Sequence, residues 1–194
     1  MKDIKKNYYG MFTRITLNPA VYIMAKNGGL DFIFYDAEHA MLQMDKLHDL
    51  VLFGNNMGMS TFIRVAELSR KDVSAALDCG ATGIMVPMIE SAKQAYDLVQ
   101  WSKYPPLGDR GYSGGANTNY SPLATVRENL DSINDRTITI AQIETKKGID
   151  NAEEIIKTDG IDAIIIGPVD LSISLNVEHD ILDPVQLKAI DKVV

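Results

Sequence analysis

Residues 31–42 read DFIFYDAEHAML. The run Phe32-Ile33-Phe34-Tyr35 has the length and the aromatic, β-branched content of a strand buried on both faces. It stops at Asp36, and Glu38 and His39 follow at once. A buried strand that ends in three ionisable groups is the pattern of a parallel sheet whose strand C-termini carry the chemistry. The rest of the chain repeats it. Four further apolar runs occur at Thr61–Val65, Gly83–Val86, Ile138–Ile143 and Ala163–Ile166, and a weaker one, Tyr8–Ile15, precedes them all. Between them lie stretches with helical spacing: Met44, Leu47, Leu50 and Val51; Val73, Ala76 and Leu77; Ala92, Ala95, Leu98 and Val99; Ile149, Ala152, Ile155 and Ile156. Ser69 and Ser91 are placed as N-caps, Gly80 and Gly160 suit helix C-termini, Gly28-Gly29 ends a short helix, and Asp183-Pro184 opens a final one. The alternation predicts an α/β fold, a parallel sheet with helices outside it.

An open doubly wound sheet would need a glycine fingerprint where its first strand meets its helix, and no junction here has one. Polar groups instead recur at the ends of several strands: Asp36, Glu38 and His39, then Arg64, then Gln142 and Glu144, then Asp170. One face fed by many strands is the habit of the (β/α)8 barrel, which takes about 250 residues. The six units in 194 residues therefore predict a single barrel domain over residues 1–194, truncated after about six βα units, because an open arc would expose two strand edges.

Bulk properties narrow the function. The net charge of −7 and pI near 4.9 argue against a nucleic-acid or anionic-membrane surface. One cysteine, Cys79, excludes an internal disulfide, and it reads as a packing residue near a helix end. No apolar run approaches the ~18 residues of a membrane span, and no signal-peptide segment follows the basic N-terminus, so a cytoplasmic protein is expected. His48 and His179 read as surface residues.

Glu144 and Asp170 lie 26 residues apart, one βα unit, so neighbouring strand ends would bring two carboxylates together. Such a pair can share one hard divalent cation and leave positions for water and an oxygen-rich substrate. Each residue also has a plain structural explanation: Asp170 as a helix N-cap, His39 as a surface residue, Arg64 as the ion-pair partner of Asp36 or Glu38. Taken together, His39 as base, Arg64 as a cationic donor and the Glu144/Asp170 pair favour a metal-assisted site. The loop GDRGYSGGAN (108–117) lacks a P-loop lysine and is either a substrate loop or a connection.

The segments YDAEHA (35–40), FIRV (62–65), LDCGATGIMVPMIE (77–90), KYPPLGDRG (103–111), QIET (142–145) and IDAIIIGPVDLS (161–172) together resemble the HpcH/HpaI family of metal-dependent class II pyruvate aldolases. The resemblance implies a barrel of the phosphoenolpyruvate/pyruvate type, usually a homo-hexamer of paired barrels that exchange a C-terminal helix. It also implies reversible aldol cleavage of a 2-keto-(3-deoxy)-4-hydroxy acid to pyruvate and an aldehyde through a metal-stabilised enolate. By position it assigns Glu144 and Asp170 to a divalent cation, Mg2+ or Mn2+ first, with Co2+ or Zn2+ as alternatives. His39 becomes the base, Arg64 the group that stabilises the enolate, and Gln142 with the Val169-Asp170 backbone the contacts to the keto acid. Asp78 becomes a residue that raises the histidine's basicity from a neighbouring subunit. The stretch YSGGANTNY (112–120), richer in Gly and Asn than the family loop, would lie near the aldehyde. The competing readings are an acyl-CoA ester lyase of the citryl/malyl-CoA type, which would need a basic nucleotide-binding surface, and a non-catalytic remnant or assembly subunit.

Overall fold

The computed structural model describes residues 7–40, 42, 44–121, 125–178 and 180–193. His179 lies outside them, as does the basic N-terminal segment 1–6. Six strands form one parallel sheet in chain order: β1 (Gly10–Thr13), β2 (Phe32–Asp36), β3 (Ser60–Arg64), β4 (Gly83–Val86), β5 (Ile138–Ile143) and β6 (Ala163–Ile166). Each expected apolar run is a strand, and the weak first run shortens to four residues. The sheet is a curled half-barrel; closure into eight strands is not seen among the described residues.

Nine helices flank it among the described residues: α1 (Ala20–Asn27), α2 (Met44–Asn56), α3 (Arg70–Asp78), α4 (Ala92–Ser102), α5 (Val126–Arg136), α6 (Lys146–Asp150), α7 (Ala152–Ile156), α8 (Pro168–Ser174) and α9 (Pro184–Ile190). Their starts follow the chain's chemistry. The hydroxyls of Ser69, Ser91, Thr125 and Thr145 accept the orphan N–H groups of Asp72, Gln94, Glu128 and Gly148, and the Asp183 carboxylate accepts that of Val185. Gly80 takes φ +90 directly after the α3 cap, a conformation that would strain a side chain. The single stripe expected over Ile149–Ile156 is two short helices, because Asn151 leaves helical geometry at φ −105, ψ 10.

Strand parity separates two environments. Ile63, Val65, Ile84, Val86, Ala141 and Ile143 point outward into the helices and pack with Val73, Leu77, Leu98 and Ile155 in the main core. Tyr22, Leu47 and Leu50 of α1 and α2 cover Ile33 and Tyr35 in the same way. Phe34, Phe62, Met85, Ile138 and Ile140 point away from the helices, with Phe32 and Ile165 packed against them. Gly83 makes room for that aromatic layer, since a Cβ there would fall 2.7 Å from the Phe62 ring.

The opposite ends of the strands carry different fittings. Helices deliver the chain to the N-terminal ends, and there Lys103, 2% exposed, donates to the carbonyls of Asn134 and Thr137 and to Asp162 Oδ2 at 3.0 Å. That buried ammonium ties the end of α4 to the end of α5 and the entry to β6.

Candidate active site at the strand C-termini

Continuing the inward parity along each strand leads from the aromatic layer to Asp36, Arg64, Gln142 and Glu144. Asp36 and Arg64 are register partners at the ends of β2 and β3. The guanidinium grips the carboxylate at two points, Nε to Oδ1 at 2.9 Å and Nη2 to Oδ2 at 2.6 Å. Asp36 is 1% exposed. Burial alone would raise its pKa, but the Arg64 hydrogen bonds and charge, helped by the His39 and Glu38 backbone N–H groups, hold it below the usual carboxylate value. The ion pair expected as the structural explanation of Arg64 is therefore real. It does not exhaust the residue: Nη1 lies 3.0 Å from Glu38 Oε2 and donates to Gln142 Oε1 at 3.4 Å, across to β5. The Phe12 ring lies under the guanidinium, 5.8 Å from its carbon.

Glu144, 2% exposed, follows β5. Its Oε1 accepts the Met88 backbone N–H at 2.9 Å and its Oε2 accepts the Gln142 side-chain amide. Each oxygen keeps a second lone pair. Gly167 packs directly on this group, because a Cβ built there would fall 2.3 Å from Glu144 Oε2. Three residues on, Asp170 stands exposed in the first turn of α8. The β5 and β6 ends thus bring Glu144 and Gly167 into contact, with Asp170 one turn beyond. Val169 is exposed, and neither its backbone N–H nor that of Asp170 has an acceptor among the described residues.

The charge balance in this cluster favours a cation. Asp36, Glu38 and Glu144 face the Arg64 guanidinium, with the exposed Arg14 3.7 Å from Asp36. Burial raises the pKa of Glu38; Arg64 and His39 oppose this, whereas the Glu144 and Asp36 charges add to it. Glu38 Oε2 lies within ion-pair distance of Arg64 yet has no hydrogen bond of good geometry. Two hard carboxylates and an uncompensated negative field fit a divalent cation. Among the described residues no three His, Cys, Asp or Glu side chains stand close enough to cage a metal, so water and substrate oxygens would complete its coordination.

His39 lies at the rim of this cluster. Its side chain is 52% exposed and its Nε2 is 3.6 Å from Glu38 Oε2. Asp78 is elsewhere: it ends α3 at the N-terminal side of the sheet, where Arg110 Nη2 binds its carboxylate at 2.7 Å. The loop expected beside the aldehyde lies on that same remote side. Arg110 holds Asp78, the Ala116 carbonyl closes on Gly80, and Ala116 and Asn119 line a cavity of about 340 Å³ with Ser60 and Thr82, which precede or begin strands. The 108–120 segment follows a helix rather than a strand, so within one chain it cannot reach the Glu144 end. His48 lies at the surface as expected, its side chain 34% exposed, with Nε2 3.1 Å from the Tyr120 hydroxyl. Cys79 is buried, as expected of a packing residue.

Residues 9–194 match the family model described as HpcH/HpaI aldolase/citrate lyase. The chain belongs to the HpcH/HpaI aldolase/citrate lyase family. Among its relatives, a 2-keto-3-deoxy-L-rhamnonate aldolase of Klebsiella pneumoniae is 32% identical over 157 residues, which is 81% of this chain and 58% of the relative. The Escherichia coli protein of the same name is 32% identical over 78% of this chain and 57% of its own length. This chain thus spans less than two thirds of the curated relatives it matches. The crystal structure of an HpcH/HpaI aldolase from Desulfitobacterium hafniense superposes with a TM-score of 0.93 at 33% identity, covering 97% of this chain and 72% of that one. An HpcH/HpaI family protein from Burkholderia cenocepacia gives 0.87 at 27% identity, covering 99% and 76%.

The strand-end groups of this chain were legible as side chains. The Met88 N–H that binds Glu144 was not, since a backbone donor leaves no mark in a sequence.

Proposed function

We propose that this protein is a carbon–carbon lyase that reversibly cleaves a 2-keto-3-deoxy-4-hydroxy acid to pyruvate and an aldehyde. The observation that carries this reading is the buried Glu144 carboxylate, held open by Met88 and Gln142 beside the Gly167–Asp170 turn and facing Arg64. Relatives named as aldolases at 32% identity support it. Glu144 and Asp170 would hold a divalent cation, Mg2+ or Mn2+, as oxygen ligands. Bound there, the cation would polarise the keto group and make the adjacent methyl protons acidic.

The chain's own groups do the rest. His39, at the exposed rim, takes the methyl proton in condensation and returns it in cleavage. Arg64, locked by Asp36 so that it need not reorganise, presents its guanidinium to the oxygen that gains negative charge. The Val169 and Asp170 backbone N–H groups receive the substrate carboxylate, and Gln142 fixes the distance between Arg64 and Glu144. Asp78, remote from its own site, serves the His39 of another protomer in a homo-oligomer, a hexamer by family likeness. The six-stranded arc is the corresponding part of a closed (β/α)8 barrel, supported by the superposition on the D. hafniense enzyme.

The test is exchange. Pyruvate, Mg2+ or Mn2+ and the protein in deuterated water should lose the pyruvate methyl NMR signal, and His39→Ala should not support that loss. Folded protein that shows no metal-dependent exchange sinks the aldolase reading. Exchange that persists in His39→Ala sinks His39 as the base. Cleavage of citryl- or malyl-CoA without exchange of free pyruvate would favour the acyl-CoA ester lyase instead.

A further inference from the structure

The loop between β4 and α4 carries an unassigned device. Met88 takes φ 57, a left-handed conformation rare for an unbranched, bulky residue, and its N–H is the donor on Glu144 Oε1. The next N–H, that of Ile89, binds the Gln142 carbonyl at 3.0 Å. Glu90 then bonds through every polar group it has. Its carboxylate accepts the Thr145 hydroxyl at 2.8 Å and the Lys147 ammonium at 3.0 Å, its carbonyl accepts the Asn151 amide at 2.8 Å, and its N–H donates to Gln94 Oε1 at 2.8 Å. The Thr145 hydroxyl also caps α6 by accepting the Gly148 N–H, so its one proton is free to point at Glu90. The fit is tight: a Cβ on Gly148 would fall 2.8 Å from the Ile89 carbonyl.

These contacts bracket Glu144 on both sides. Residues 88–90 of one loop grip Gln142, Glu144, Thr145 and Lys147 of the next, and the strained Met88 backbone sits at the centre. A left-handed residue persists only where its surroundings over-determine it. Glu90 supplies that constraint, lying two residues beyond Met88 with bonds to three residues that follow Glu144.

We propose that Glu90 is a positioning residue: it clamps the β4–α4 loop onto the β5–α6 loop so that the Met88 N–H fixes the Glu144 carboxylate for cation binding. The role rests on the metal reading of Glu144. It acts through orientation, since Glu90 itself contacts neither the cation nor the substrate. Outer partners that orient metal ligands typically change affinity by about 10–100-fold when removed.

The experiment titrates Mn2+ into the full chain by calorimetry and follows amide hydrogen exchange at Met88. Glu90→Ala should weaken Mn2+ binding by about 10–100-fold and speed exchange at Met88. Glu90→Gln keeps the shape but turns an amide NH2 toward either Thr145 or Lys147, both donors, and should lose about tenfold. It decides the matter if the alanine variant fails to fold. Wild-type Mn2+ affinity in a folded Glu90 variant, with Met88 exchange unchanged, overturns the role of Glu90 alone. Wild-type protein that binds no Mn2+ overturns the metal reading and this role with it.

Discussion

Replacing Arg64 with leucine isolates the largest electrostatic interaction in the cluster. The guanidinium makes two charge-assisted bonds to Asp36, and the carboxylate it neutralises is 1% exposed. Removing one partner of a buried pair leaves an uncompensated charge and costs about 3–5 kcal/mol. With a urea m-value of about 2 kcal/mol/M, the unfolding midpoint at pH 7 should fall by about 1.5–2.5 M. The pH dependence carries the stronger test. In the wild type the Asp36 pKa is depressed on folding, so its contribution is present above the unfolded value and is lost as pH falls through the folded one. Without Arg64, burial is left against the weaker backbone donors and the more distant, solvent-screened Arg14, and the folded pKa rises. The variant then regains stability relative to wild type as pH falls from 7 toward 4 and Asp36 protonates. Urea melts of both proteins across that range read the difference directly. A deficit that stays constant with pH, or one below about 1 kcal/mol at pH 7, would refute the buried-charge argument. The double variant Asp36→Leu/Arg64→Leu should recover most of the loss, because an apolar pair removes both charges together.

Gly167→Ala places a methyl against Glu144, 2.8 Å from its Cβ, while its carboxylate is already held by Met88 and Gln142; Mn2+ affinity should drop about tenfold and stability should fall by about 1–3 kcal/mol, and unchanged binding would count against the site. Lys103→Met takes the ammonium away from two buried carbonyls at the N-terminal end of the sheet and from Asp162, which keeps the Thr139 N–H at 2.9 Å, a loss of about 3 kcal/mol that should lower the melting temperature by about 6–12 °C. Burial, with the Asp78 charge, pushes the Cys79 thiol up to about 11, so it should resist a disulfide reagent at pH 8 in the native protein and react fully once unfolded.

The strands were readable because their buried runs are continuous and β-branched, and the site because Asp36, Arg64, Gln142 and Glu144 share one parity of a period-2 pattern. Helix α5 was missed: between Val126 and Arg136 its apolar positions are few and Asn134 is buried by hydrogen bonds to the Tyr104 backbone, so no stripe stands out. The partner of Asp78 was equally hidden, since Arg110 reaches it through a loop whose path no local signal specifies. The placement of that loop was available in principle. A segment that follows a helix in a parallel sheet arrives at the N-terminal ends, and family likeness drew attention to the other end instead.

The strand order β1-β2-β3-β4-β5-β6 also bears on how the molecule forms. Among the described residues every strand pairs only with its neighbours in sequence, so none of these five pairings waits for a distant segment of chain. The largest loop to be closed runs from Val86 to Ile138, and closure entropy grows only slowly with length. Assembly can therefore advance unit by unit as the chain is synthesised, each new strand docking on the edge left by the one before it. The β4–β5 closure spans the longest of these connections, and it is the one that brings the Glu144 carboxylate to the Met88 N–H.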